Sequence, residues 1–425
     1  MPTPVSALLH AATLVTAGIF ILLRSSPILE FSSTALLIIT LVGSTTAFFA
    51  ATIGVLQNDL KRIIAFSTIS QLGYMVLSIG LSQYSVSLFH TVNHAFFKAL
   101  LFLSAGQAIH SVLDQQDIRR MGGLKNFLPF VYSVMIVGSL SLMAVPFLSG
   151  FYSKDLILEL AFGQYSFSGI YAYILGTISA ALTAFYSFRL ISLVFLTVPN
   201  ANRNTYLNIH ESSLSVIIPL LILALFSIFF GYIFSDLFVG VGSDFFGNSL
   251  FTHPNNLHLI EAEFSLPIYI KLAPLILSIL GGSLSLFLYN KNIEFIINLT
   301  ESSIGRKIYT FLNAKYLLDI IYNQYIIGFG LQLGYNISKL LDRGVIELLG
   351  PYGISSSLTN TGINISKLDT GVITTYSIYI TLSLLSLLFL VFAPLLIETS
   401  LLNEIRLIII YVSALLVVLA PSFNK

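Results

Sequence analysis

Cysteine is absent from all 425 residues. That excludes disulfide frameworks, Cys-ligated zinc, iron–sulfur clusters and thiol catalysis within this chain. Tryptophan is absent too, so any aromatic belt has to be built from the 21 Tyr and 34 Phe. Charge is scarce. Only 9% of residues are charged, against about 25% in an average soluble domain. The 20 Lys+Arg and 19 Asp+Glu nearly cancel, to +1, which leaves no basic surface for nucleic acid. What the chain has instead is apolar: 56% hydrophobic residues and a mean hydropathy of +0.89. A soluble globular reading does not survive those values.

A membrane-spanning helix needs about 20 apolar residues. Such runs occupy 4–23, 32–56, 63–82, 86–111, 127–162, 169–198, 214–238, 267–289, 373–397 and 405–421. They are apolar on all sides, whereas transmembrane strands are short and alternate in polarity. The fold expected is therefore an all-α polytopic membrane protein of about ten transmembrane helices. The first run has no basic segment before it and holds Pro2, Pro4 and His10, so it is not a signal peptide.

Run 127–162 is too long for one straight crossing. Pro146 and Gly150 punctuate it, and Lys154 and Asp155 follow. The sequence predicts a discontinuous helix in two halves, roughly 128–148 and 152–162, because Pro removes a backbone donor and Gly loosens the helix. The freed backbone groups have to be satisfied by protein or a water-filled cavity.

Residues 291–372 hold too many polar groups to cross. Within them Asp319, Asn323, Gln332, Asn336, Lys339, Arg343 and Glu347 fall mostly three or four apart, the helical repeat. This predicts a long amphipathic lateral helix over 315–349, about 50 Å in length. Gly328, Gly330, Gly334 and Gly344 weaken it. Basic residues concentrate in alternate loops: Lys61 and Arg62; Arg119, Arg120 and Lys125; Arg203; Lys291, Arg306 and Lys307. The opposite loops hold Arg24, Glu30, Asp236, Asp244, Glu261 and Glu263. The basic set, and with it the amphipathic segment, should face inward.

An ionisable group near the bilayer centre costs about 2.5–3.5 kcal/mol on insertion scales, so each one needs a reason. His90, His94 and Lys98 are spaced by four, which stacks them on one helix face about 6 Å apart along the axis. Imidazole passes protons between its two nitrogens near neutral pH, and desolvation helps an amine give up its proton. The three together read as a proton relay. The bland alternative is a set of polar groups hydrogen-bonded across a helix interface. A metal pair would need further ligands, and none is nearby in sequence. Lys154 and Asp155 at the helix break fit the transporter device of placing charge at a discontinuity; the competing reading is an interfacial lysine at a helix start. Glu159, one turn on, is a weaker candidate. His10, among small residues, reads either as a relay member or as a packed polar group. Lys61 and Arg62 read as topology charges, and Arg189 as a snorkelling residue near a helix end. Gly240-Val-Gly242 lacks the spacing of a dinucleotide fingerprint. Asn298, Asn336 and Asn364 match glycosylation sequons but fall on the side expected to face inward.

Five stretches carry a resemblance: Pro-Thr-Pro-Val-Ser-Ala-Leu-Leu-His-Ala-Ala-Thr-Leu-Val-Thr-Ala-Gly (2–18), Gln-Asn-Asp-Leu-Lys-Arg-Ile-Ile-Ala-Phe-Ser-Thr-Ile-Ser-Gln-Leu-Gly-Tyr-Met (57–75), Asn-His-Ala-Phe-Phe-Lys-Ala-Leu-Leu-Phe-Leu (93–103), Met-Gly-Gly-Leu (121–124) and Ser-Gly-Phe-Tyr-Ser-Lys-Asp (149–155). In that order they resemble the mitochondrial NADH–ubiquinone oxidoreductase chain 5 family, antiporter-like subunits of respiratory complex I. Leu-Asp-Ile-Ile-Tyr-Asn (318–323) is similar to the start of that family's lateral helix. The resemblance implies a proton-pumping subunit of the mitochondrial inner membrane without its own redox centre. NADH, FMN, iron–sulfur clusters and ubiquinone would be handled elsewhere in the complex. Partners would be the other membrane-arm subunits, above all the neighbouring antiporter-like chain.

By match to the family's motifs, His90, His94 and Lys98 would form the central relay. Lys154 would be the lysine of the broken helix, with Asp155 beside it. His10 would be a relay histidine, and Lys61 would join the polar axis. The family carries an earlier inverted repeat upstream of the stretch matched here, so the chain is expected to represent the C-terminal two-thirds and not to pump alone. The organisation expected is 1–198 proton-channel helices, 199–290 peripheral spans, 291–372 lateral helix region and 373–425 C-terminal anchor. The alternatives are a subunit of a cation/proton antiporter and a purely structural clamp.

Overall fold

The computed structural model describes residues 3–240, 242–243 and 245–396. The expected span 405–421, together with Pro2 and Asp244, lies outside the described residues. The described residues form helices and no strand; the one extended feature is an isolated bridge between Asp59 and Asp117. Seven helices among them are long and apolar enough to cross a membrane. They are α1 (Thr3–Arg24), α2 (Ser33–Leu56), α3 (Leu60–Gly80), α4 (Tyr84–Ser111), α7 (Phe167–Leu196), α8 (Leu214–Val239) and α9 (Ile268–Asn290). Between α4 and α7 stand two shorter pieces, α5 (Pro129–Leu142) and α6 (Leu156–Gly163), the latter entered through a π-turn at Phe151–Asp155.

The chain divides into two compact units, one reaching Leu317 and the other starting at Leu318. In the first, lipid offers no hydrophobic drive between helices, so small residues set the close approaches. A Cβ on Gly43 would stand 2.5 Å from the Leu77 nitrogen, and one on Gly73 2.6 Å from the Ala47 nitrogen. Helices α2 and α3 therefore touch backbone to backbone. Across the α4–α8 seam the contact is aromatic: Phe96 stacks on Phe226 at 5.0 Å and lies tilted against Phe230 at 5.1 Å.

The loops are tied as well. Glu30 is buried between α1 and α2; it accepts from the Tyr84 hydroxyl at 2.7 Å, the His253 amide at 3.0 Å and the Asn256 side-chain amide at 2.8 Å. On the other side, Arg119 grips Asp117 through Nε at 3.0 Å and Nη2 at 2.7 Å. That guanidinium holds the Asp117 carboxyl below the usual carboxylate range. The α2–α3 turn is bonded to the segment leading into the second unit: Asn58 donates to the Tyr309 hydroxyl at 3.1 Å, and Thr52 pairs with Tyr316 at 2.9 Å.

In the second unit the chain is helical without a gap from Leu318 to Leu349, through alternating α and π turns. The lateral helix starts three residues later than its polar stripe suggests. Lys315, Tyr316 and Leu317 have φ of 55°, 57° and 59°, a left-handed corner that no helix continues through. Gly350 ends the run, and helices Pro351–Ser366 and Ile373–Leu396 follow.

Candidate functional site

Spacing by four on α4 puts His90, His94 and Lys98 on one face, and all three are fully buried. The His90 and His94 ring centroids are 6.3 Å apart, the separation that one helical turn dictates. Oε1 of Gln71 lies 3.1 Å from His90 Nε2, and Oγ of Ser153 lies 2.9 Å from Nδ1. A carboxamide oxygen only accepts, so with this placement of the amide Nε2 carries the proton and Nδ1 of the neutral ring takes the Ser153 hydroxyl. Neither ring nitrogen of His94 has a protein partner. The Lys98 ammonium donates to the Ser67 hydroxyl, which in turn donates to the Ile64 carbonyl at 2.7 Å.

The helix break is wider than Pro146 and Gly150 alone predict. Helix α5 stops at Leu142, six residues before the sequence-based boundary. Ala144 and Phe147 lie in the left-handed region, at φ 62° and 69°, and such residues cannot continue a right-handed helix. The early stop frees terminal carbonyls. One of them does work at the site: Leu142 O accepts from Lys154 Nζ at 3.3 Å, and Thr183 Oγ1 on α7 accepts at 3.0 Å. The Tyr74 ring lies 5.4 Å from the same ammonium, held by its hydroxyl bond to Gly176 O at 2.6 Å. Lys154 is 1% exposed and Asp155 6%, and Oδ2 of Asp155 has no partner. His90, His94, Lys98 and Lys154 are near enough to act on one another electrostatically. A small cavity of about 20 Å³, bordered by Ser67, Leu142 and Tyr186, lies between the partners of Lys98 and Lys154. That is room for one water.

The structure thus brings together His90, His94, Lys98, Lys154 and Asp155. It places neither His10 nor Lys61 in that row. His10 is exposed on α1, and Lys61 is half-buried in the first turn of α3. Glu159 is half-buried one turn beyond Asp155. The partners Ser67, Gln71, Tyr74, Ser153 and Thr183 were missed in the sequence. Ser67, Gln71 and Tyr74 do follow a three-to-four spacing on α3, which was the available signal.

Arg189 corrects the expectation of a snorkelling side chain. It is 5% exposed and turns inward. Nη1 donates to Val55 O and Gln57 O, each at 2.6 Å, and Nη2 to Asn58 Oδ1 at 2.9 Å. It caps the carbonyl end of α2, where a cation suits the helix dipole. Arg189→Ala strips those acceptors of their donor and should cost about 2–3 kcal/mol, read as a lowered thermal midpoint of the purified protein.

A family model described as "NADH:quinone oxidoreductase/Mrp antiporter, TM" matches residues 1–183, and one described as "NADH dehydrogenase subunit 5 C-terminus" matches residues 250–393. Among solved structures, the Mrp complex from Dietzia sp. shares the fold with a TM-score of 0.53 at 24% identity, over 78% of this chain and 34% of that one. Fold and buried row together define an antiporter-like polytopic membrane protein. The chain is 67% identical over 416 residues to NADH-ubiquinone oxidoreductase chain 5 of Schizophyllum commune, covering 98% of this chain and 61% of the relative. Against the protein of that name from Cryptococcus neoformans var. grubii it is 60% identical over 426 residues, covering 100% of this chain and 64% of the relative. The chain belongs to the NADH–ubiquinone oxidoreductase chain 5 family. It spans about three fifths of the length of the curated relatives it matches.

Proposed function

We infer that this chain supplies the proton-translocating helices of a membrane subunit of NADH:ubiquinone oxidoreductase in the mitochondrial inner membrane. The observation that carries the reading is the buried row of Lys98, His94, His90, Lys154 and Asp155, with both His94 nitrogens unpartnered in the protein. Burying that many ionisable groups in a membrane fold is costly without a use for them. Unpartnered buried polar atoms are what an ordered water satisfies. Protons pass through such waters between Lys98, His94, His90 and Lys154. Quinone reduction elsewhere in the complex shifts charge along the row and so changes the cost of protonating each member. The redox groups belong to other subunits, and the helices pack beside a neighbouring antiporter-like chain. The fold shared with the Mrp complex also suits a cation/proton antiporter subunit. The match at 250–393 to the subunit 5 C-terminus favours the respiratory reading.

The test is the assembled complex carrying Lys154→Ala. NADH:ubiquinone reductase activity should copurify with the chain, and NADH-driven proton release into or out of sealed vesicles should fall at least several fold. Unchanged protons per NADH, or copurification without any NADH oxidation, contradicts the reading.

A further inference from the structure

One hydroxyl stands between the relay helix and the helix break. Ser153 is fully buried in the π-turn, one residue before Lys154. Its Oγ has three acceptors within reach: His90 Nδ1 at 2.9 Å, Ser149 O at 3.4 Å and Gly150 O at 3.5 Å. A serine hydroxyl carries one proton and cannot serve all three. While His90 is neutral with its proton on Nε2, the hydroxyl proton goes to Nδ1, the nearest of them. A doubly protonated ring donates from both nitrogens. Nε2 then keeps Gln71 Oε1 at 3.1 Å, Nδ1 turns donor, and Ser153 Oγ has to accept. The hydroxyl proton is left for Ser149 O or Gly150 O.

We propose that Ser153 is a positioning residue that converts protonation of His90 into a shift of the turn carrying Lys154. This rests on the proton-translocating reading above. Ser153 keeps its own proton in both states, and the added proton stays on Nδ1. What changes is the direction of the hydroxyl. Accepting from a cation strengthens it as a donor, which shortens the long contacts to Ser149 O and Gly150 O. Neither of those residues can yield. A Cβ on Gly231 of α8 would stand 2.4 Å from Ser149 Cα, and one on Gly150 1.8 Å from Ser141 O, so α8 and α5 hold both by backbone contact. Asn93, fully buried on α4, also donates to Ser149 O at 3.3 Å, and a carbonyl has a lone pair for each of two donors. The movement therefore falls on Ser153 and the turn behind it. Lys154 Nζ, next in sequence, is held by Leu142 O at 3.3 Å and Thr183 Oγ1 at 3.0 Å, and such a shift alters both distances. The titratable groups that act on His90 are Lys154 on the turn and Lys98 and His94 on α4, while α3 presents the neutral Gln71.

The test uses the assembled complex in sealed vesicles. Ser153→Thr and Ser153→Val add nearly the same bulk and differ by one hydroxyl. Protons released per NADH oxidised should stay near wild type in Ser153→Thr and fall several fold in Ser153→Val. The pH profile of coupled turnover should also move toward acid by about one unit in Ser153→Val relative to Ser153→Thr, because an imidazolium holds a hydroxyl about twice as strongly as the neutral ring does. A hydroxyl that merely packs leaves that profile in place. Ser153→Ala adds no bulk and should behave as Ser153→Val, so it carries the test where the larger side chains impair assembly. Coincident ratios and pH profiles in Ser153→Thr and Ser153→Val, or wild-type pumping by Ser153→Ala, overturn the proposal. Lys154→Ala measured alongside separates the two levels. If it fails to pump while Ser153→Ala pumps normally, the role of Ser153 is wrong and the relay stands. If both pump normally, the relay itself is wrong.

Discussion

Lys98→Ala should leave an assembled, NADH-oxidising complex whose proton release through this subunit is lost. Lys98 is fully buried and its ammonium is bonded to one hydroxyl, that of Ser67. Removing the side chain therefore orphans a single neutral group, which costs about 1–3 kcal/mol, and on the proposed relay it removes an exchangeable proton. On the proposed relay the transfer step slows by about 10²-fold or more. Lys98→Arg sharpens the result. A guanidinium keeps the charge but stays protonated. If Lys98 works by exchanging its proton, arginine fails as alanine does; if it works as a fixed charge, arginine retains pumping. The measurement is protons released per NADH oxidised, taken with the amount of intact complex. An unchanged ratio in Lys98→Ala removes Lys98 from the path.

Gly150→Val should disrupt the broken helix and, with it, assembly. A Cβ at Gly150 would stand 1.8 Å from the carbonyl oxygen of Ser141. Backbone has no rotamer by which to yield. Ser141 is also fastened from the other side, its hydroxyl donating to Ser227 O on α8 at 3.0 Å. Relief has to come from displacing the last turn of α5, which carries the Leu142 carbonyl that receives Lys154. The cost should exceed about 4 kcal/mol, in the range where single substitutions abolish folding. A fall in assembled complex and in thermal midpoint reads it out. Gly330→Ala is the contrast: a Cβ there meets nothing within 4 Å, and alanine in a helix is favoured over glycine by about 1 kcal/mol. Equal behaviour of the two variants refutes the argument.

Local pattern made the spans and the α4 row legible, because a period of four residues is a property of one helix and needs no knowledge of its neighbours. The same locality explains the misses. Arg189 sits near a helix end, where periodicity suggests a side chain reaching for water. Its direction is set by the open carbonyls of α2, more than a hundred residues away in sequence. The stop at Leu142 depends on left-handed backbone at Ala144 and Phe147, two residues whose type gives no sign of it. The lateral helix was visible in its stripe of polar residues, but its start is set by a corner at Lys315, Tyr316 and Leu317 that apolar and basic side chains do not announce. His10 stood out as a polar residue in an apolar run; burial, which separates an internal group from a peripheral one, is a property of packing and left it exposed.

The bond from Lys154 to Leu142 O joins the buried ammonium to the last residue of α5. An ammonium binds a carbonyl about twice as strongly as a neutral amine does. On the proposed relay each discharge of Lys154 would slacken its hold on α5, and each recharge would tighten it. The gap in the polypeptide ladder can in this way act as a latch whose tension follows occupancy of a single nitrogen, turning a change in charge into a small movement of the main chain.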